Sequence, residues 1–152
     1  MLPHSHQRNM SKNLFWEKLE NLNFETVKNE LFCKGWSVQD VELGLYSYKL
    51  FLYIKYTHPG IRLVPPPIVD LTWHTHIMVD LSQYIKDCEC LFGYLLNHCS
   101  TVSFKEDYQQ TLDKAFRKTK GFFKEFGIDF LDQEYTSDDI ACVDLPFKTT
   151  LQ

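Results

Sequence analysis

The sequence predicts an all-α fold of about six helices in one compact domain, and three observations carry that expectation. Apolar residues recur at intervals of three and four along most of the chain. No segment alternates with period two for long enough to make a sheet, and glycines and prolines punctuate the periodic stretches. The 152 residues are 44% apolar and 15% aromatic, enough to bury a core packed through bulky rings.

The elements follow in order. Residues 1–10 read as a mobile lead-in, in which His4 and His6 carry no role. Ser11 is placed to cap a first helix whose apolar positions are Leu14, Phe15, Leu19 and Leu22. A second, short helix puts Phe24, Val27 and Leu31 on one side and stops at Gly35. Ser37-Val38-Gln39-Asp40 has the form of a capping box and opens the clearest helix. There Val38, Val41, Leu45, Tyr48 and Leu52 step by three and four, and Phe51 and Ile54 broaden the stripe. Pro59-Gly60 ends it, with His58 in the last turn, where a positive charge suits the helix end.

Residues 61–67, IRLVPPP, cannot be helical inside, because proline lacks an amide donor and pushes its predecessor toward extended geometry. This stiff strap delivers the chain to a short helix over 68–78. Asp80-Leu81-Ser82-Gln83 offers a second capping box for a helix carrying Leu81, Tyr84, Ile85, Cys88, Leu91, Phe92, Leu95 and Cys99. Ser103 is placed to cap a last helix with Phe104, Tyr108, Leu112, Phe116 and Phe123 as its stripe and Gly127 as its stop. The domain thus covers residues 11–127. Residues 128–152 form a surface-wrapping or mobile tail through Phe130, Leu131, Ile140, Val143 and Phe147.

Charge and cysteine usage narrow the function classes. The formal charge of −4 argues against a nucleic-acid surface, which carries a basic excess. Lys114, Arg117, Lys118, Lys120 and Lys124 form a basic run, but Asp113 and Glu125 interrupt it, as on a solvated helix face. No apolar run approaches the roughly 20 residues that span a bilayer, and the amino terminus lacks the apolar centre of a signal peptide. Cys33, Cys88, Cys90, Cys99 and Cys142 are odd in number, which points to reduced thiols in a cytoplasm-like compartment. Signal-independent export is also compatible with the sequence.

The densest chemistry lies in VDLTWHTHIM, residues 69–78. On a helix Asp70 and His74 (i, i+4) share a face, whereas His74 and His76 (i, i+2) point to nearly opposite sides. One histidine can therefore enter a site with Asp70, but not both. A metal site needs three or four ligands converging from separated segments. Asp70 and His74 supply two, His98 a third from the far end of the next helix, and His76 either completes the set or partners it from a frayed helix end. Tyr84, Asp87, Cys88 and Trp73 would surround these ligands. Cys88 and Cys90 cannot chelate together on a regular helix, and HExxH and paired CxxC elements are absent from the sequence.

The order Asp70, Trp73-His74-Thr75-His76, Tyr84-Ile85-Lys86-Asp87-Cys88 and Phe92-Gly93 resembles the hallmark of the glycine-rich domain-containing protein-like family. Gly35-Trp36-Ser37, Phe51-Leu52, His58-Pro59-Gly60, Phe116-Arg117-Lys118-Thr119 and Phe126-Gly127 are similar to its compact bacterial members, so the likeness covers about residues 14–127. This chain has Asn97-His98 where those relatives tend to carry paired histidines. Its acid after the second histidine, Asp80, is displaced by one. The resemblance implies a helical fold and supplies no activity.

Four readings of the chemistry stay open. In the leading one, a divalent transition metal, zinc or iron, sits on Asp70, His74, His98 and His76, and His76 moves protons if catalysis occurs. In its rival, Asp70 caps the short helix and the histidines form a polar clamp inside a non-enzymatic module that binds a protein partner. A thiolate mechanism on Cys88 with His74 or His76 has the residue types but a mid-helix, apolar position. Nucleic-acid binding through the 114–124 face is the weakest.

Overall fold

The computed structural model describes residues 4–100, 106–130 and 142–143 of the chain. Within them six helices build a single domain: α1 (His4–Glu20), α2 (Glu25–Cys33), α3 (Val38–Thr57), α4 (Pro67–Val79), α5 (Leu81–Phe92) and α6 (Glu106–Glu125). One two-residue antiparallel ladder pairs Cys99–Ser100 with Cys142–Val143.

The central helix is α3, which packs on α1, α2, α4 and α6. Tyr48, Phe51 and Ile54 are fully buried along it, as the periodic stripe predicts, and Val41 enters the core two turns earlier. They meet Leu19 of α1, Leu31 of α2 and Trp73 of α4 in one cluster. Burying each such side chain contributes about 1.5–3 kcal/mol, which is what holds short helices of weak individual stability. Val38 sits at the first helical position, before the packing begins, and is 61% exposed. Leu14 is likewise exposed.

Caps set the boundaries. Asp40 N–H donates to Ser37 Oγ at 3.1 Å, and Gln83 N–H to Asp80 Oδ1 at 3.0 Å, so both capping boxes begin their helices. Gly35 (φ +89°) and Gly127 (φ +81°) end α2 and α6 in left-handed geometry. At each, the next residue's amide reaches back to an earlier carbonyl, Trp36 to Leu31 O and Ile128 to Phe123 O, both at 3.1 Å.

Three boundaries differ from the sequence expectation. The first helix starts at His4, so residues 4–10 extend it and Ser11 lies inside it; its hydroxyl bonds Tyr56 Oη. No proline or glycine interrupts 4–13, and a helix anchored by Phe15 and Leu19 propagates at little cost. The strap yields at Pro67, the first residue of α4, where a missing amide costs nothing. α5 stops at Phe92, because Gly93 (φ +76°) caps it, so Leu95 and His98 lie on a loop. Ser103, Phe104, Leu131, Ile140 and Phe147 lie outside the described residues; Phe130 is buried against Phe123 with ring centroids 5.1 Å apart.

The strap is interior. Leu63, Val64, Pro65 and Pro66 are all buried. Val64 packs with Leu112, Ala115 and Phe116 of α6, and its N–H donates to Thr119 Oγ1 at 3.0 Å. Thr119 in turn donates to Ala115 O at 3.0 Å. An extended segment inside a helical domain needs such a partner for its amide. The strap thereby fixes where α4 begins and how it lies on α3.

Candidate metal centre

α4 presents two chemically distinct faces. Toward the loop after α5 it presents Asp70 and His74, one turn apart. His98 reaches them from that loop: its Nε2 donates to Asp70 Oδ1 at 2.9 Å. His74 Nε2 lies 3.9 Å from the other oxygen, Asp70 Oδ2, and the two imidazole centroids are 4.1 Å apart. One donor atom from each of Asp70, His74 and His98 lies within 4.8 Å of the other two, making a group able to hold a metal ion. The His98 side chain is 3% exposed and Asp70 14%, while His74 is 44% exposed and forms the mouth.

Burial, the neighbouring His98, and more distantly the Lys34 ammonium lower the His74 pKa, against the opposing pull of Asp70. Lys34, on the α2 side of the site, donates to Thr75 Oγ1 at 3.4 Å.

Asp70 does not cap α4. The helix starts three residues earlier, at Pro67, and the Asp70 amide already donates to Pro66 O at 2.9 Å. Its carboxylate is therefore directed to the histidines and not to helix amides.

His98 is held by a chain of buried groups. Trp73 Nε1 donates to Tyr84 Oη at 2.9 Å, and Tyr84 Oη donates to Leu96 O, two residues before His98. The Trp73 ring also stands edge-on to His98, with centroids 4.3 Å apart. Burial raises the Tyr84 pKa far above its ordinary value, so the hydroxyl stays a donor. The Cys88 thiol bonds in the same place and is pushed up by burial, which disfavours the thiolate that nucleophilic chemistry needs.

His76 does not join the group. Its ring, 5% exposed, points into the core, where Nε2 meets Asp87 Oδ2 at 2.8 Å and Nδ1 meets Tyr48 Oη at 2.9 Å. Gln83 Nε2 fills the other Asp87 oxygen at 2.8 Å. The Tyr48 pKa is raised well above normal, chiefly by burial, so its hydroxyl donates to Nδ1 while Nε2–H donates to Asp87. Every polar atom of this buried chain has a partner, which is the condition for such a network to stabilise a core. The ligand role expected for His76 is thus corrected: two residues along a helix is about 200° of rotation, and α4 has no frayed end there.

His58 caps α3, with Nδ1 2.9 Å from Thr57 Oγ1 and its ring 4.5 Å from that of Phe122, a local structural position. No helix among the described residues is long and apolar enough to cross a membrane. Comparison with protein-family models, with curated proteins and with solved structures returns no match for the chain.

Sequence reasoning missed Lys34 and Gly44, and it read Gln83 only as part of a capping box and Tyr48 only as a core position. A Cβ on Gly44 would lie 2.8 Å from Thr72 Oγ1 and 2.9 Å from Trp36 Cζ3, so only glycine lets α3 approach α4 this closely. The signal for Gly44 was in the sequence, as a glycine inside the most regular helix.

Proposed function

We propose that this chain is a helical metal-binding module in which Asp70, His74 and His98 hold one divalent transition ion, zinc or iron. The observation that carries this reading is the convergence of three donors from a helix turn and a separate loop. Donors bound to one ion at about 2.0–2.3 Å stand about 3.4 Å apart, and one donor atom from each of the three residues already lies within 4.8 Å of the other two. Two imidazoles and one carboxylate suit zinc and ferrous iron. The lowered His74 pKa supports the reading too, since a ligand imidazole must be neutral. An ion taken up between Asp70 and His98 would replace the Nε2 proton that now bridges the pair.

Three protein ligands with one at an exposed mouth favour a site with a free coordination position over a closed structural one. An ion there would supply Lewis acidity toward a substrate oxygen. The chain's own residues position it: Tyr84 and Trp73 fix the loop that carries His98. A proton-carrying role for His76 has no support from its buried, doubly bonded ring. The same motif underlies the proposed kinship with the glycine-rich domain-containing protein-like family. Unpaired Cys33, Cys88 and Cys90 accord with a reducing, cytoplasm-like setting.

One observation favours a second reading, a protein-interaction module in which the motif is a polar clamp. The hydrogen bond from His98 to Asp70 ties the loop to α4 without any ion. Tag-free protein decides between them. Elemental analysis and calorimetric titration with zinc are expected to give one ion per chain. His74→Ala and His98→Ala should each lose about 100-fold in affinity with the helical circular dichroism unchanged. Absence of stoichiometric binding, or equal binding by the double variant, overturns the metal reading in favour of the clamp.

A further inference from the structure

The outer face of α4 carries more than the mouth of the metal group. At about 100° per residue, with Leu71 as reference, Met78 falls about 20° and His74 about 60° to one side, and Thr75 about 40° to the other. Leu71 and Met78 therefore form an apolar strip between His74 and Thr75, and they are 54% and 78% exposed. Thr75 turns its hydroxyl back to Leu71 O at 2.7 Å, and Lys34, at the end of α2, rests its ammonium on that hydroxyl at 3.4 Å. The strip thus has the exposed ligand His74 along one side and a lysine ammonium along the other.

Charge decides what such a strip accepts. Two neutral imidazoles and one carboxylate leave a bound divalent ion with one positive charge uncompensated. Lys34 adds a second. Among the described residues its ammonium is in no ion pair, and its bond to Thr75 is longer than an ordinary hydrogen bond. Its field also reaches the His74 ring, whose pKa it helps to lower. The two positive poles stand apart, with exposed aliphatic groups between them. A small single-headed anion satisfies one pole. A ligand with an acid at each end and methylenes between satisfies both and covers the strip.

We infer that the metal-loaded site binds a short aliphatic dicarboxylate, a ligand class that rests on the metal reading above. One carboxylate enters the free position on the ion beside His74, and the other pairs with Lys34 across Leu71 and Met78. The Thr75 hydroxyl is a weaker partner for an ammonium than a carboxylate is, so it yields the lysine to the ligand. Lys34 is exposed, and its flexible stem follows the ligand's far end at little cost.

Calorimetric titration of the zinc-loaded full chain with glutarate, and with butyrate, which has one acid fewer, tests this. Glutarate is expected to bind about threefold to fivefold more tightly, the range of a solvent-exposed ion pair. Lys34→Gln should abolish that preference and Lys34→Arg should keep it, with zinc affinity in both within about twofold of the parent. Lys34 is exposed and glutamine keeps a donor for Thr75, so neither change disturbs the fold. Zinc-free protein should show no saturable heat with glutarate. Zinc uptake without a preference for glutarate, or a preference that survives Lys34→Gln, overturns the inference and leaves the metal centre standing. Equal glutarate binding by zinc-free protein, or tighter binding of inorganic phosphate than of glutarate, overturns it as well. Failure to take up zinc overturns this inference and the metal reading together.

Discussion

His74 and His76 stand two residues apart on α4, yet the first is 44% exposed beside Asp70 and the second 5% exposed between Tyr48 and Asp87. Each imidazole faces one carboxylate, so the residue types are the same on both sides. What differs is the surroundings. On the inner face both ring nitrogens and both carboxylate oxygens are bonded within the core, leaving no place for an ion. On the outer face one donor atom from each of three residues comes within 4.8 Å of the others, and one edge is open. The same helix therefore carries a structural histidine and a candidate ligand, and burial assigns the roles.

The sharpest way to break this comparison is to truncate the two rings separately. His76→Ala should cost about 3 kcal/mol in urea unfolding, because it empties a core position and strands the buried Asp87 carboxylate and Tyr48 hydroxyl. His74→Ala should change stability by no more than about 0.5 kcal/mol while removing metal. Similar losses from the two variants would mean that the faces are not different in kind. Tyr48→Phe, which leaves His76 Nδ1 without its donor, should cost about 2 kcal/mol by the same measurement, with metal affinity unchanged.

Gly44→Ala probes whether α4 is locked in rotation. The alanine gains about 1 kcal/mol of helix preference but meets Thr72 and Trp36 within 3 Å, an overpacking that costs about 1–3 kcal/mol. A net loss of about 1 kcal/mol is expected, together with weaker metal binding, because the shift is felt on both faces. Gained stability would show that the close approach is slack. The smallest effect is a titration. In metal-free protein the His74 ring should titrate below the ordinary histidine range, followed by its NMR signal. In Asp70→Asn it should move lower still, because the carboxylate beside the ring favours the imidazolium. An upward shift would place another group in command of the site.

Much of this was legible in the sequence because helix spacing decides faces. Asp70 with His74, and the divergence of His74 from His76, follow from 100° per residue alone. The two capping boxes and the Gly35 and Gly127 stops were readable for the same local reason. The partners were not. Asp70 meets His98, and His76 meets Tyr48, each across 28 residues, and no local rule says which segment packs on a given face. His98 was expected on the far end of a helix, but Gly93 ends that helix early and the loop brings it back.

One contact described above gives the protein an optical reporter of its own. Trp73, 1% exposed and edge-on to His98, will emit like an indole in a dry, rigid setting, and an ion or a proton arriving on that imidazole will alter its quenching. With Trp16 and Trp36 changed to phenylalanine, the emission spectrum becomes a readout of events at the loop, without any added dye.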